Sequence, residues 1–325
     1  MVSIVIPVYN EADILPELVR RLRAVMDAMT DSCEVVFVDD GGSDGSLNLL
    51  QSLAREDERL VVVELQRNFG QHAAIFAGFE YVRGEYVVTL DADLQNPPEE
   101  IPKLVAKMEE GYDAVGGWRK QRHDSLLRRL PSRVVNLIMS RATGVALNDY
   151  GCMLRAYRRS VVEAMKRCGE ISSFIPALAN LFAKRVCEVE VGHAERAGGE
   201  SKYNLFKLIH LNFDLMTGFS LLPIQAVSVA GMLMSLFGLA FGLLLLIARL
   251  ALGAEWAAQG VFTLFAVLFV FVGLQTLALG IIGEYIGRIY LEVRRRPRFV
   301  VRAIHRAGEL EGWKDGRMEV DSVPH

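Results

Sequence analysis

The chain opens on an apolar run, Val2 to Val8, followed by Tyr9, Asn10 and Glu11. Its length and composition predict a strand buried on both faces. From Asp13 to about Met29 the period changes. Ile14, Leu18, Leu22 and Val25 recur at helical spacing, which predicts an amphipathic helix. Glu34 to Val38 is again a strand and ends in Asp39-Asp40. "GGSDGSLNLLQSLARED" turns on its glycines and becomes a helix, with Ser43 or Asp44 as the cap. Leu60 to Leu65 predicts a strand, Gly70 to Val82 a helix, and Tyr86 to Leu90 a buried strand. Asn96-Pro97-Pro98-Glu99 reads as a helix start, with Asn96 as N-cap and proline in the first turn. Ala114 to Gly117 is one more short strand, and "KRVCEVEVGH" a late one. This alternation predicts an α/β domain with a parallel, Rossmann-like sheet covered by helices. In such sheets ligands bind beyond the carboxyl ends of the strands.

Beyond residue 220 the pattern is different. Leu221 to Ala248 and Val261 to Gly283 carry no charged residue. Each exceeds the roughly 20 apolar residues needed to cross a bilayer. The connector between them has Glu255 and no Lys or Arg. "RRRPRFVVR" follows the second run, and Lys202 and Lys207 precede the first. The positive-inside rule then puts both ends in the cytoplasm and the connector outside. Glu284 and Arg288 are four apart and are expected to pair. The predicted organisation is a cytosolic domain over residues 1–220, two spans at 221–248 and 261–283, and a basic cytosolic tail at 284–325. "SLLRRLPSRVVNLIMSRATG" and "LFKLIHLNFDLMTGF" are amphipathic. They predict interface helices near 125–142 and 203–219, lying at an anionic lipid surface or packed on the core with one solvated face.

Composition narrows the field. The 325 residues are 51% hydrophobic with a formal net charge of -3, so nothing points to nucleic acid. Cys33, Cys152, Cys168 and Cys187 form no C-x-x-C pair, which gives neither a zinc signature nor a disulfide framework. The N-terminus has no basic n-region and reads as a first strand. No G-x-G-x-x-G follows that strand, which argues against a dinucleotide site.

The chemistry gathers at the strand ends. In "YVVTLDADLQNPPEE" the strand ends in Asp91 and Asp93, with Gln95 two positions on. Side chains two apart on a strand share a side. Continued extended geometry would therefore present three oxygens together. Such a set suits a hard divalent cation, Mg2+ or Mn2+, shared with substrate phosphates. Turn chemistry is the alternative reading of a lone D-x-D.

"VSIVIPVYNE", "VFVDDGGSDGS", "TLDADLQNPPEEIPKLV" and "GESKYN" resemble the family 2 glycosyltransferases of the GT-A fold. With the two apolar runs the chain looks like the polyprenyl-phosphate glycosyltransferases within that family. "RNFGQHAAIFAGF", "DYGCMLRAYRRSVVEAM", "FIPALANLFA", "HAERAGGESKYNL" and "GEYIGRIYLEVRRRPRF" are similar to members that transfer 4-deoxy-4-formamido-L-arabinose. The resemblance runs to about residue 300. One departure is "DDGGSDG", where the family more often has Ser after the first Gly.

The resemblance implies residue roles. Pro7, Tyr9 and Glu11 would line a uridine pocket, and Asp40, with Asp39 beside it, would contact the base. Asp91 would lie near ribose or metal, Asp93 would bind the metal directly, and Gln95 would be a further ligand. Arg119, Arg128 and Arg133 would meet phosphates. Arg196, Ser201 and Lys202 fall in a loop that resembles an active-site lid. Asp149 would sit near the acceptor as base or positioner. His72 and His193 read as structural.

The implied reaction is inverting transfer of a sugar from a UDP donor to undecaprenyl phosphate, with a divalent metal. The implied setting is a multi-pass protein of the bacterial inner membrane, its catalytic domain and both termini cytoplasmic. The implied assembly is a homo-oligomer, a tetramer in related enzymes. The pathway implied is lipid A modification and polymyxin resistance. Glucose or mannose as the sugar, on a dolichol or undecaprenyl carrier, is the alternative. A processive polysaccharide synthase would carry Q-x-x-R-W, which is absent. A non-catalytic scaffold would have lost carboxylates that are present here.

Overall fold

The fold is described from a computed structural model. It describes residues 1–119, 145, 147–168, 174–192, 222–252, 261–294, 296–307, 309–314 and 317–322. Two compact units emerge: residues 1–212 with 295–325, and residues 213–294.

In the first unit, β1 (Val2–Val8), α1 (Leu15–Ala28), β2 (Cys33–Asp39), α2 (Ser46–Glu56), β3 (Leu60–Leu65), α3 (Gln71–Phe79) and β4 (Tyr86–Thr89) alternate. A 3-10 turn at Pro98–Glu100 leads into α4 (Ile101–Glu109). β5 (Ala114–Trp118), β6 (Arg155–Arg158), α5 (Arg159–Arg167), α6 (Ile175–Phe182) and β7 (Val186–Glu190) follow. The second unit contains α7 (Leu222–Leu252) and α8 (Val261–Val293). The chain then returns to the first unit as β8 (Val301–Arg306), β9 (Glu309–Lys314) and β10 (Arg317–Ser322).

Among the described residues the strands form one sheet, in the order β10-β9-β8-β3-β2-β1-β4-β6-β5-β7. The stretch β3-β2-β1-β4 is parallel, as the alternation predicts. The whole sheet is mixed, because β6 runs antiparallel between β4 and β5 and β8 runs antiparallel along β3. The expected basic tail is in part three strands. Ile304, the buried residue of β8, shares its parity with Arg302 and Arg306, so no apolar alternation marks that strand in the sequence.

The core explains the alternation. β1, β2 and β3 are buried almost throughout, as expected of strands covered on both faces. On one face Leu15, Leu18 and Leu22 of α1 and Leu50 of α2 pack against Ile4, Ile6, Phe37 and Val62. On the other, α3 lies so close that a Cβ on Gly78 would collide with Val5. Two expected caps differ. Asn96 is buried, and the turn at Pro98 has Pro97 in the N-cap position. Ahead of α2 it is Asp44 that accepts the Ser46 N–H at 3.0 Å, with Gly45 in the N-cap position at φ 94°.

α7 and α8 have 31 and 33 residues, and their apolar windows, Ile224–Leu244 and Val270–Val293, have mean hydropathies of 2.1 and 1.5. Both are long and apolar enough to cross a membrane. None of either window is buried, so these are not core helices. Glu284 and Arg288 form the expected pair at 2.9 Å.

Candidate active site

Strand order reverses between β1 and β4: the chain winds from β1 to β2 and β3 on one side, then crosses to β4 on the other. That is the switch point where a crevice opens beyond the strand ends. Pro7 widens it. The β1–β4 pairing stops at Val5↔Thr89. The Val5 carbonyl faces β4, accepting the Leu90 N–H, so position 7 faces the same way. There β4 has already ended and a missing N–H costs nothing.

The β1 end is tied to the β2 end. Asn10, at φ 57°, accepts the Ser43 N–H on Oδ1 at 2.8 Å. The Glu11 N–H donates to Ser46 Oγ, and the Ala12 N–H to Asp44 Oδ2. This leaves Tyr9 half exposed at the rim and Glu11 half-buried. Asp40 is buried and accepts the Phe69 and Gly70 amides, one on each oxygen, at 2.7 and 2.9 Å. Burial raises its carboxyl above the ordinary range, and those two amides oppose the rise. Asp39 is only 1% exposed, and its Oδ1 has no hydrogen-bond partner. Burial pushes it up to about 6, against the pull of the Gly42 and Gly41 amides.

The next residue along from Gly70 joins these carboxylates to β4. Gln71 Nε2 donates to Asp91 Oδ1 at 2.6 Å. After Thr89 the strand stops and the chain turns at Ala92 and Asp93, with Leu94 left-handed at φ 59°. The expected extended geometry beyond the strand is therefore absent. The expected alternation of exposure persists nonetheless: Asp91, Asp93 and Gln95 are half-buried, and Ala92, Leu94 and Asn96 are buried. Asp93 Oδ1 accepts the Gln95 N–H at 3.1 Å, which is turn chemistry. Among the described residues no group of three or more His, Cys, Asp or Glu is placed to hold a metal ion. Two half-buried carboxylates still fit a Mg2+-type cation that takes its other ligands from phosphates and water.

A second cluster lies across β6. Arg119 follows β5 and grips Asp149 through Nε and Nη2 at 2.7 and 3.1 Å. Asp149 is buried. Its loop is clasped from both sides. Glu188 accepts the Asn148 and Asp149 amides and the Asn148 side chain. Buried Arg155 donates to the carbonyls of Asp149 and Cys152. The Cys152 thiol lies 3.6 Å from Asn96 Oδ1, and Thr89 Oγ1 donates to the Met153 carbonyl, so this loop rests on the end of β4. His72 faces Phe174 edge-on and is held neutral, its pKa lowered to about 4 by burial.

Residues 3–165 match the family model for glycosyl transferase family 2. The chain belongs to that family. It is 57% identical over 308 residues to the undecaprenyl-phosphate 4-deoxy-4-formamido-L-arabinose transferase of Pseudomonas aeruginosa, covering 94% of this chain and 91% of the relative. It is 56% identical over 304 residues to the transferase of the same name from Shewanella sediminis, covering 93% and 92%. Among solved structures, mannosyl-3-phosphoglycerate synthase from Rubrobacter xylanophilus shares the fold. The TM-score is 0.50 at 16% identity, over 67% of this chain and 72% of that one. This glycosyltransferase thus has the GT-A type architecture that its motifs imply, with two candidate membrane helices appended.

Of the sequence-derived site residues, Pro7, Tyr9, Glu11, Asp39, Asp40, Asp91, Asp93 and Gln95 fall at or just past the carboxyl ends of the neighbouring strands β1, β2 and β4. Arg119 and Asp149 form the second cluster. Arg128, Arg133, Arg196, Ser201, Lys202 and both amphipathic segments lie outside the described residues. Sequence reading passed over Asn10, Gln71, Arg155 and Glu188. Each acts by holding backbone or another side chain, and no spacing rule marks that work in advance.

Proposed function

We propose that the enzyme transfers 4-deoxy-4-formamido-L-arabinose, with inversion, from a UDP donor to undecaprenyl phosphate. The observation that carries this reading is identity above 50% to enzymes of that name along more than 90% of both chains. Tyr9, Pro7 and Glu11 would line the nucleoside end, beside the Asp39-Asp40 loop. Asp91, Asp93 and Gln95 would hold a divalent cation, Mn2+ or Mg2+, which supplies Lewis-acid stabilisation of charge on the departing nucleoside diphosphate.

Arg119, aimed by Asp149, would stabilise phosphate charge in a site shielded from water. Arg128 and Arg133 are assigned the same work. Arg196, Ser201 and Lys202 would close over the substrates. The acceptor phosphate oxygen is anionic at neutral pH, so the protein needs to orient it behind the anomeric carbon rather than deprotonate it. Asp149, tied into its ion pair with Arg119, suits positioning rather than base chemistry. α7 and α8 would anchor the enzyme in the bacterial inner membrane with the catalytic domain and both termini cytoplasmic. The interface segments near 125–142 and 203–219 would rest at the lipid surface. The protein would work as a homo-oligomer, a tetramer, and its product would feed lipid A modification and polymyxin resistance.

The test is sugar transfer to undecaprenyl phosphate by the purified full-length protein in detergent. Donors are UDP-formylaminoarabinose, UDP-glucose and GDP-mannose, each with Mn2+ and with EDTA. Transfer from the first alone, lost with EDTA and in Asp93→Asn, is expected. Transfer from another donor would overturn the sugar assignment and keep the site.

A further inference from the structure

Glu64 is buried although it is a carboxylate on the third strand of the sheet. Its register partner on β2 is Asp39. Paired residues of neighbouring strands point to the same face, so two buried carboxylates stand side by side at the carboxyl ends of β2 and β3. Like charges in that setting oppose each other's ionisation. The groups that meet Glu64 come from β8, the strand that follows α8 in the chain. Arg302 Nη1 lies 3.2 Å from Glu64 Oε1. His305 Nε2 lies 3.2 Å from Glu64 Oε2. Gln51 Nε2 of α2 lies 3.2 Å from the same imidazole nitrogen, which can donate to Glu64 or accept from Gln51 but not both.

We propose that Glu64 is a positioning residue for the nucleoside end of the donor site, and that β8 supplies the Arg302 charge and the His305 ring to hold its carboxylate so that Asp39 can ionise. This rests on the donor reading above. Among the described residues, the charged and titratable groups facing Glu64 are Asp39, Arg302 and His305. Those facing Asp39 are Glu64 and Asp40, together with the Gly41 and Gly42 amides. An ionised Asp39 is the stronger acceptor for a nucleoside N–H or hydroxyl. The C-terminal strand is then part of the donor site, acting through one intermediate carboxylate.

The test is UDP binding by calorimetry to the full-length protein between pH 5 and pH 8.5. Affinity of the wild type is expected to rise through about pH 6, where Asp39 ionises. Removing both β8 groups, Arg302→Ala with His305→Ala, should move that inflection up by about half a pH unit or more. Glu64→Gln should move it down, and adding Glu64→Gln to the double variant should cancel the upward shift. UDP's own phosphate titrates identically in every variant, so differences between variants read the protein. Variants that lose affinity equally at every pH, with the inflection unmoved, would show a merely structural role and overturn the proposal. A wild type that binds no UDP would instead sink the donor reading, and the proposal with it.

Discussion

Replacing Asp39 by asparagine removes a carboxylate that is only 1% exposed and sits next to Glu64. Its folded-state pKa is raised from 3.8 to about 6, chiefly by burial. A raised carboxyl pKa means that the protonated form is the one the fold prefers. The wild type therefore carries no penalty below pH 3.8, and loses stability as the pH rises through 6. Linkage gives a loss of about 1.6 kcal/mol at pH 5 and about 3 kcal/mol at pH 8.

Asparagine does not titrate, so Asp39→Asn escapes the loss. It places an unpaired amide hydrogen near the position of Oδ1, which costs about 1–3 kcal/mol at every pH. The diagnostic is thus the slope. The stability difference, variant minus wild type, should grow by about 1.4 kcal/mol between pH 5 and pH 8. Urea unfolding of the detergent-solubilised protein at the two pH values measures it, with UDP binding measured in parallel. UDP affinity at pH 8 should fall while relative stability rises. A pH-independent difference would refute the assignment of the raised pKa to Asp39.

The other consequences are more local. Gln71→Ala frees Asp91 from its 2.6 Å hydrogen bond and should lower kcat roughly tenfold with little change in melting temperature, as measured by transfer rate and thermal unfolding. Glu188→Ala strands two backbone amides of the Asn148–Asp149 loop and should cost about 2 kcal/mol in urea unfolding. Gly78→Ala drives a methyl group into Val5 and should destabilise by about 1–3 kcal/mol without altering UDP affinity, which separates packing from site effects.

Much of the first half of the fold is legible in the residues. Apolar runs such as Val2–Val8 and Leu60–Leu65 can be satisfied only as strands covered on both sides, and the intervening helical periods supply the cover. The strand ends then place Asp39 at the last position of β2 and Asp40 and Asp91 just beyond the sheet. What the pattern could not announce was the turn after Thr89. Leu94 at φ 59° has no sequence signal, because leucine rarely adopts that conformation and does so here only with its side chain buried.

The sequence by itself determined the parallel heart of the sheet, the apolar membrane-length runs and the carboxylates at the strand ends, because each follows from local periodicity and residue chemistry. Only the tertiary structure decided the partners. It set β6 antiparallel between β4 and β5 and laid β8 along β3. It brought Asp149 onto Arg119, and placed Arg302 and His305 on Glu64 across more than 200 residues of chain. These contacts join segments far apart in sequence. Loop closure and the burial of charge settle them, and neither leaves a mark at the residue until the chain has folded.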